Sequence, residues 1–325
     1  MHPRGGAARQ GVHRWRRFRR VFRLQRHRRH RGAAGCGELA GRLLRSLLLL
    51  SCSPAAHAAA SWCCLPALIP AASQLDYAPA HTVWVRNVGV LPWVVRPIFL
   101  RSNKTVRFAA GTLVVAKRGE FHATNASLFN VGYSYHFVPN ATHTCPATHT
   151  TCNTPQKCCP YGAVSNVTLL GERGATFRMW RSDYSDPTKY TKGEWRHGVY
   201  ICGGSHHVRV EGLRIERTGG DGICVGAGQA AVDIAVRNVT CDSNYRQGMS
   251  VVNVRGLVVE DSIFSRTAGT DPQAGIDIEP SLDYFYETNI TFRRCRFLYN
   301  TGAAFKISAG RLLNASTFTL LVEDR

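Results

Sequence analysis

The feature that most constrains the fold is a short unit that returns at a near-constant interval. A glycine and an alternating strand occur as Gly198-Val-Tyr-Ile-Cys, Gly222-Ile-Cys-Val-Gly, Gly248-Met-Ser-Val-Val and Gly275-Ile-Asp-Ile-Glu. The unit returns without its glycine as Ala304-Phe-Lys-Ile-Ser, giving spacings of 24, 26, 27 and 29 residues. Self-similarity at this period marks a solenoid. A second strand lies inside each unit, aligned at Leu213/Ile215, Val239/Cys241, Ser262/Phe264 and Cys295/Phe297. The members of each pair are one residue apart, the period of a half-buried strand. Leucine-rich and helical repeats need a helix in every unit. Between Gly198 and Ser308 no stretch of helical length carries a 3.6-residue apolar period. Short strands, Gly- and Asn-rich turns and about 25 residues per coil predict an all-β parallel β-helix.

The flanks read differently. Residues 1–45 carry 14 Arg and one Glu, so most of the formal +20 charge of the 325-residue chain sits there. An Arg run suggests nucleic acid or an anionic membrane. The apolar run Leu43-Leu-Arg-Ser-Leu-Leu-Leu-Leu and the small residues around Ala58 follow directly, which predicts a secretory signal instead. No nucleic-acid partner is expected, and the apolar run is too short for a stable membrane span. Residues 1–60 are therefore read as an Arg-rich start plus signal that does not pack on the solenoid. Residues 61–102 show no repeat and are expected to be an irregular approach or N-terminal cap. Residues 103–325 form the solenoid, interrupted by a Cys-rich loop at 140–160. The chain stops inside an apparent strand at Val322-Glu-Asp-Arg, which reads as a truncated C-terminus. A monomer is expected.

Seven Asn-x-Ser/Thr sequons, at Asn103, Asn125, Asn140, Asn166, Asn238, Asn289 and Asn314, point to a lumenal or extracellular location. Some also suit solenoid turns. Cys145, Cys152, Cys158 and Cys159 crowd one short stretch without the paired knuckles of a zinc site. Two disulfides in one of three pairings are expected, as in an oxidising compartment. Cys241 and Cys295 fall at inward positions and read as small core hydrophobes. Cys224 and Cys202 fall at outward ones.

From about Asn103 to Ser308 the chain resembles the right-handed parallel β-helix repeat proteins of the pectate-lyase-like superfamily. The resemblance rests on Asn166-Val-Thr-Leu-Leu-Gly, Gly171-Glu-Arg-Gly-Ala-Thr-Phe-Arg-Met, Gly193-Glu-Trp-Arg-His-Gly, Gly219-Gly-Asp-Gly-Ile and the run from Asn244 to Pro280. It implies the fold and a polysaccharide as substrate class. It does not imply a reaction, since the superfamily holds lyases, hydrolases, epimerases, esterases and phage tailspikes. The Asn-Thr-Asp, Asp-Asp and Gly-His-Gly of polygalacturonases and the Tyr-Gly-x-Asp-Pro-His of alginate epimerases are missing.

Equivalent strands of a β-helix stack their outward residues in columns. The repeat predicts one column of Tyr200, Cys224, Ser250, Asp277 and Lys306, and a second of Cys202, Gly226, Val252, Glu279 and Ser308. The entering turns supply His197, Asp221, and Arg246 with Gln247. Asp277 and Glu279 would then share a face with Lys306 and Arg246. As i, i+2 residues of a strand their Cα atoms stand about 6.5–7 Å apart, a spacing compatible with an acid–base pair. Lys306 and Arg246 would neutralise a uronate carboxylate or assist proton removal; His197 and Asp221 are further catalytic candidates. Trp195, Tyr200, Tyr245, Gln247 and Gln273 are candidates for binding sugar. Against each stands a structural role: salt bridge, turn or coil edge. The expectation is a secreted enzyme that cleaves glycosidic bonds in a groove on the β-helix face, hydrolase or lyase. The alternative is a non-catalytic glycan-binding or cell-surface β-helix. No cofactor is expected, with Ca²⁺ left open.

Overall fold

A computed structural model describes residues 81–132, 162–282, 285–308, 310 and 318–324. Residues 1–60, the four clustered cysteines and the sequons at Asn140 and Asn314 lie outside the described residues. Each coil of the described chain gives one strand to each of three parallel sheets. The first sheet has eight strands, from Thr82–Val85 to Phe318–Glu323. The second has seven, from Trp93–Val95 to Arg296–Leu298, and the third has seven, from Ile98–Leu100 to Phe305–Ile307. The fold is a right-handed parallel β-helix, as the repeat and the resemblance imply.

The column assignment made from the repeat is the observed register. Tyr200, Cys224, Ser250, Asp277 and Lys306 pair in succession across the third sheet. Ile215, Cys241, Phe264 and Phe297 do so across the second. Inward residues stack into one apolar column, for example Phe108, Phe129 and Phe177, whose ring centroids lie 4.4–5.7 Å apart. Cys241 is fully buried in this core, and Cys295 is packed against it. Cys202 is disulfide-bonded; Cys224, Cys241 and Cys295 are free.

Two rows of left-handed residues shape the coils. One crosses the first sheet at Asn103, Asn166, His207, Asp233, Gly256 and Asn289, with φ between 54° and 81°. Each inserts an extra residue, so that Ala231 and Ile234, three apart, both point inward. The other row, Gly212, Asn238, Asp261 and Arg294, turns the chain from the first sheet to the second. The next residue of each turns inward, as with Leu213, Val239 and Ser262. Asn tolerates the left-handed region better than most residues. Four sequon asparagines, Asn103, Asn166, Asn238 and Asn289, thus have a backbone reason to be where they are, and all four are exposed. Asn125 lies half-buried in a turn.

One expectation is corrected. The solenoid does not begin near Asn103. Thr82–Val85, Trp93–Val95 and Ile98–Leu100 pair in register with Thr105–Phe108, Val114–Ala116 and Phe129–Val131, so residues 82–100 are a full coil. It was hidden because its third strand opens with Pro97-Ile98 rather than glycine, and Pro92 and Pro97 resemble loop punctuation. Residues 181–197 form a polar excursion between the second and third sheets. It holds one helical turn, Arg181–Tyr184, and is clamped by Arg196. That fully buried side chain donates to the carbonyls of Phe121, His122 and Thr191 at 2.8–3.1 Å, flanked by the rings of Tyr184 and Tyr190.

Candidate active site

The third sheet presents its outer face to two corners of variable length. The strands Ile223–Val225, Met249–Val251 and Ile276–Ile278 are buried on both faces, although their central residues point outward. Ser250 is 0% and Asp277 1% exposed. Outward residues are normally solvated; here side chains from the entering corners fold over them.

Arg246 lies over this face. It donates two hydrogen bonds to Glu279, at 2.7 and 2.8 Å, and one to Ser250 at 3.3 Å. Its guanidinium also lies 3.6 Å from Asp221 and 3.7 Å from Glu194 of the excursion. Burial alone would favour loss of its proton, but the surrounding carboxylates outweigh that and hold the charge firmly. Beneath it, Asp221 is fully buried, and burial pushes its carboxyl up to about 7. Glu279 adds to the rise, while Arg246 and the Ser250 hydroxyl oppose it.

His197 lies next to Asp221. Its Nδ1 accepts the Asp221 backbone N–H at 3.0 Å, which places the proton of the neutral ring on Nε2. Burial, then Arg246, pulls its pKa down to about 3. A buried imidazole so lowered and with Nδ1 occupied is a poor general base at neutral pH, so this candidate is a floor element beside Tyr200, on which it stacks at 6.0 Å.

Asp277 occupies the middle of the face. Its Oδ2 accepts from Gln247 at 3.0 Å and its Oδ1 from Ser308 at 3.2 Å. Lys306, one coil on and 44% exposed, has its ammonium 4.0 Å from Oδ2. Burial raises the Asp277 pKa and Glu279 adds to the rise; Gln247, Lys306 and Ser308 oppose it. The face thus combines two carboxyls whose pKa burial raises, Asp221 and Asp277, with the cations of Arg246 and Lys306. Trp195, 46% exposed, stands at the end of the excursion. Tyr245 packs instead against Gly269 of the next corner. Gln273 is engaged within its own turn, where it accepts from Gly269 and donates to Asp271, and it does not join this cluster. Glu194, Ser250 and Ser308 do join it, though the sequence reading singles out none of them as a site residue. Only the period could have found Ser250 and Ser308, as column members, whereas Glu194 arrives on the excursion.

His197, Asp221 and Cys224 place their potential ligand atoms within 4.8 Å of one another. They do not suit a dication: Nδ1 is taken by a backbone N–H, burial holds the thiol protonated, and a guanidinium already faces Asp221. Ca²⁺ needs six to eight oxygens. The carboxylates of Glu194, Asp221 and Glu279 are grouped around Arg246 instead.

Among the described residues no helix is long and apolar enough to cross a membrane. No curated protein matches the chain. Among solved structures it is similar to the A-module of mannuronan C-5 epimerase AlgE4 from Azotobacter vinelandii, at 14% identity and a TM-score of 0.19. The likeness covers 70% of this chain and 63% of that one, and it carries no argument about activity. Residues 185–320, which bear most of the face just described, match the family of right handed beta helix regions. With three stacked parallel sheets and that match, the fold of the chain is a right-handed parallel β-helix.

Proposed function

We propose that this face binds a polysaccharide and cleaves its glycosidic bonds, with Asp277 as the proton donor to the leaving oxygen. The observation that carries the reading is the state of Asp277. Its carboxyl is central and buried, which raises its pKa, and it is held by Gln247 and Ser308, with the exposed ammonium of Lys306 at 4.0 Å. A carboxyl raised in this direction is better suited to general acid catalysis than an ordinary one. Lys306 is suited to anchor an anionic group of the sugar, and Trp195 to stack on a ring. Entry through a secretory signal would bring the chain to such polymers. Hydrolysis needs a second free carboxylate. Glu279 serves that role only by leaving Arg246; in elimination from a uronate the cations would neutralise the sugar carboxylate, and a carboxylate such as Glu279 would again have to be free to take the C5 proton.

A binding role without cleavage is the second reading, and the saturation of Glu279 by Arg246 favours it. One experiment separates them. Acidic and neutral polysaccharides are incubated with the protein and assayed for new reducing ends and for the ultraviolet absorbance of unsaturated uronates. Cleavage is expected on at least one polymer, and Asp277→Asn is expected to lower its rate about 100-fold. Retention on a glycan with no product from any polymer would establish the binder. Full activity in Asp277→Asn would remove this residue from the mechanism.

A further inference from the structure

We infer that His206 and His207 form a surface site for a divalent transition-metal ion of the Cu²⁺ or Ni²⁺ type, with Asp233 orienting His207. The pair opens the strand His206–Glu211 of the first sheet, a different sheet from the one that carries the candidate active site. In a regular strand consecutive side chains point to opposite faces. His207 belongs to the left-handed row, at φ 55°, and this breaks the alternation. Both rings therefore stay outside and exposed, nearly perpendicular at 76°, with their Nδ1 atoms 2.7 Å apart.

The arrangement behind His207 supports the reading independently. Its Nε2 lies 3.4 Å from Oδ2 of Asp233, the next member of the left-handed row. A carboxylate there favours the tautomer with its proton on Nε2, which leaves the Nδ1 lone pair aimed at His206. Metal-binding histidines commonly donate their second ring N–H to a carboxylate in this way. The coil beyond leaves room for that carboxylate: at Gly256 a Cβ would lie 3.0 Å from Asp233 Oδ1.

The spacing also selects the metal. Imidazole nitrogens bound at about 2.0–2.1 Å are about 2.9 Å apart at a right angle and about 3.3–3.4 Å apart at a tetrahedral one. The observed separation needs a small opening for the first and a larger one for the second. Tetragonal sites with nitrogen ligands suit Cu²⁺ or Ni²⁺. Water would fill the other positions, so binding is modest and reversible.

The test is a Cu²⁺ titration of the full-length chain, followed by calorimetry and electron paramagnetic resonance. The reference is the double variant His206→Gln/His207→Asn. Asn103, Asn166 and Asn289 occupy the same left-handed row, so the change at 207 keeps the backbone. The wild type is expected to bind one more equivalent than the double variant, with a spectrum showing two imidazole nitrogens. Asp233→Asn is expected to weaken that equivalent about tenfold. Equal stoichiometry and identical spectra in wild type and double variant would overturn the site. That is the outcome if the two rings merely share a proton and the other histidines bind the ion.

Discussion

Two carboxyls, Asp221 and Glu287, are sealed inside this protein, and burial makes each give up its proton less readily than in the unfolded chain. Asp221 lies under Arg246 on the third sheet. Glu287 opens a strand of the first sheet, 0% exposed, and neither of its carboxyl oxygens has a hydrogen-bond partner among the described residues. Burial raises both pKa values, to about 7 for Asp221 and well above 4.5 for Glu287. A carboxyl raised by folding holds a proton that the unfolded chain releases. Its favourable contribution is complete below the unfolded value, near 3.8 for Asp221, and is lost as pH rises through the folded one. Thermal stability is therefore expected to fall between about pH 4 and 8. Asp221→Asn and Glu287→Gln should each flatten that fall, and Glu287→Gln should raise Tm at pH 8 but not at pH 4. Scanning calorimetry across this range checks both; parallel curves for wild type and variants would show that these protons are not the cause.

At the scale of the element, the glycines that open the third-sheet strands are spacers between coils. A Cβ at Gly248 would lie 2.5 Å from the Gly275 carbonyl oxygen and 2.8 Å from the ring of Phe264. Gly222 and Gly275 meet the next coil in the same way, at 2.6 and 2.5 Å. Gly248→Ala is expected to cost about 1–3 kcal/mol in urea denaturation, because neither a backbone carbonyl nor a packed ring yields easily. The same steric demand made these strands legible. Glycine at a fixed interval set the period, and the period set the column from Tyr200 to Lys306. Where the demand is absent the signal is too, as in the coil at 82–100. The roof over the face was illegible for another reason. Arg196 fastens the excursion to the carbonyls of Phe121, His122 and Thr191, and backbone acceptors leave no mark in a sequence. The outward columns could be read, but not that Arg246 and Gln247 would close over them.

Across the whole molecule, each coil is held by its two neighbours, so stability should grade along the stack. Amide hydrogen exchange is expected to be slowest in the central coils, from Val208 to Ile278, and faster in the strands Thr82–Val85 and Phe318–Glu323. Uniform protection from end to end would mean that the stack opens only as one unit. The corners divide unequally around the stack. From Gly212 on, the chain passes from first sheet to second in two residues at every coil, locked by a left-handed residue. From second sheet to third it takes 117–128 in one coil, 179–198 in the next and 266–275 in a later one. The long departures thus border the third sheet, where Arg246, Asp277 and Lys306 lie. Such a scaffold keeps its gauge on one edge and leaves the other free to be rewritten. A new loop grafted at 181–195 would change the roof of this face without altering the period of a single coil.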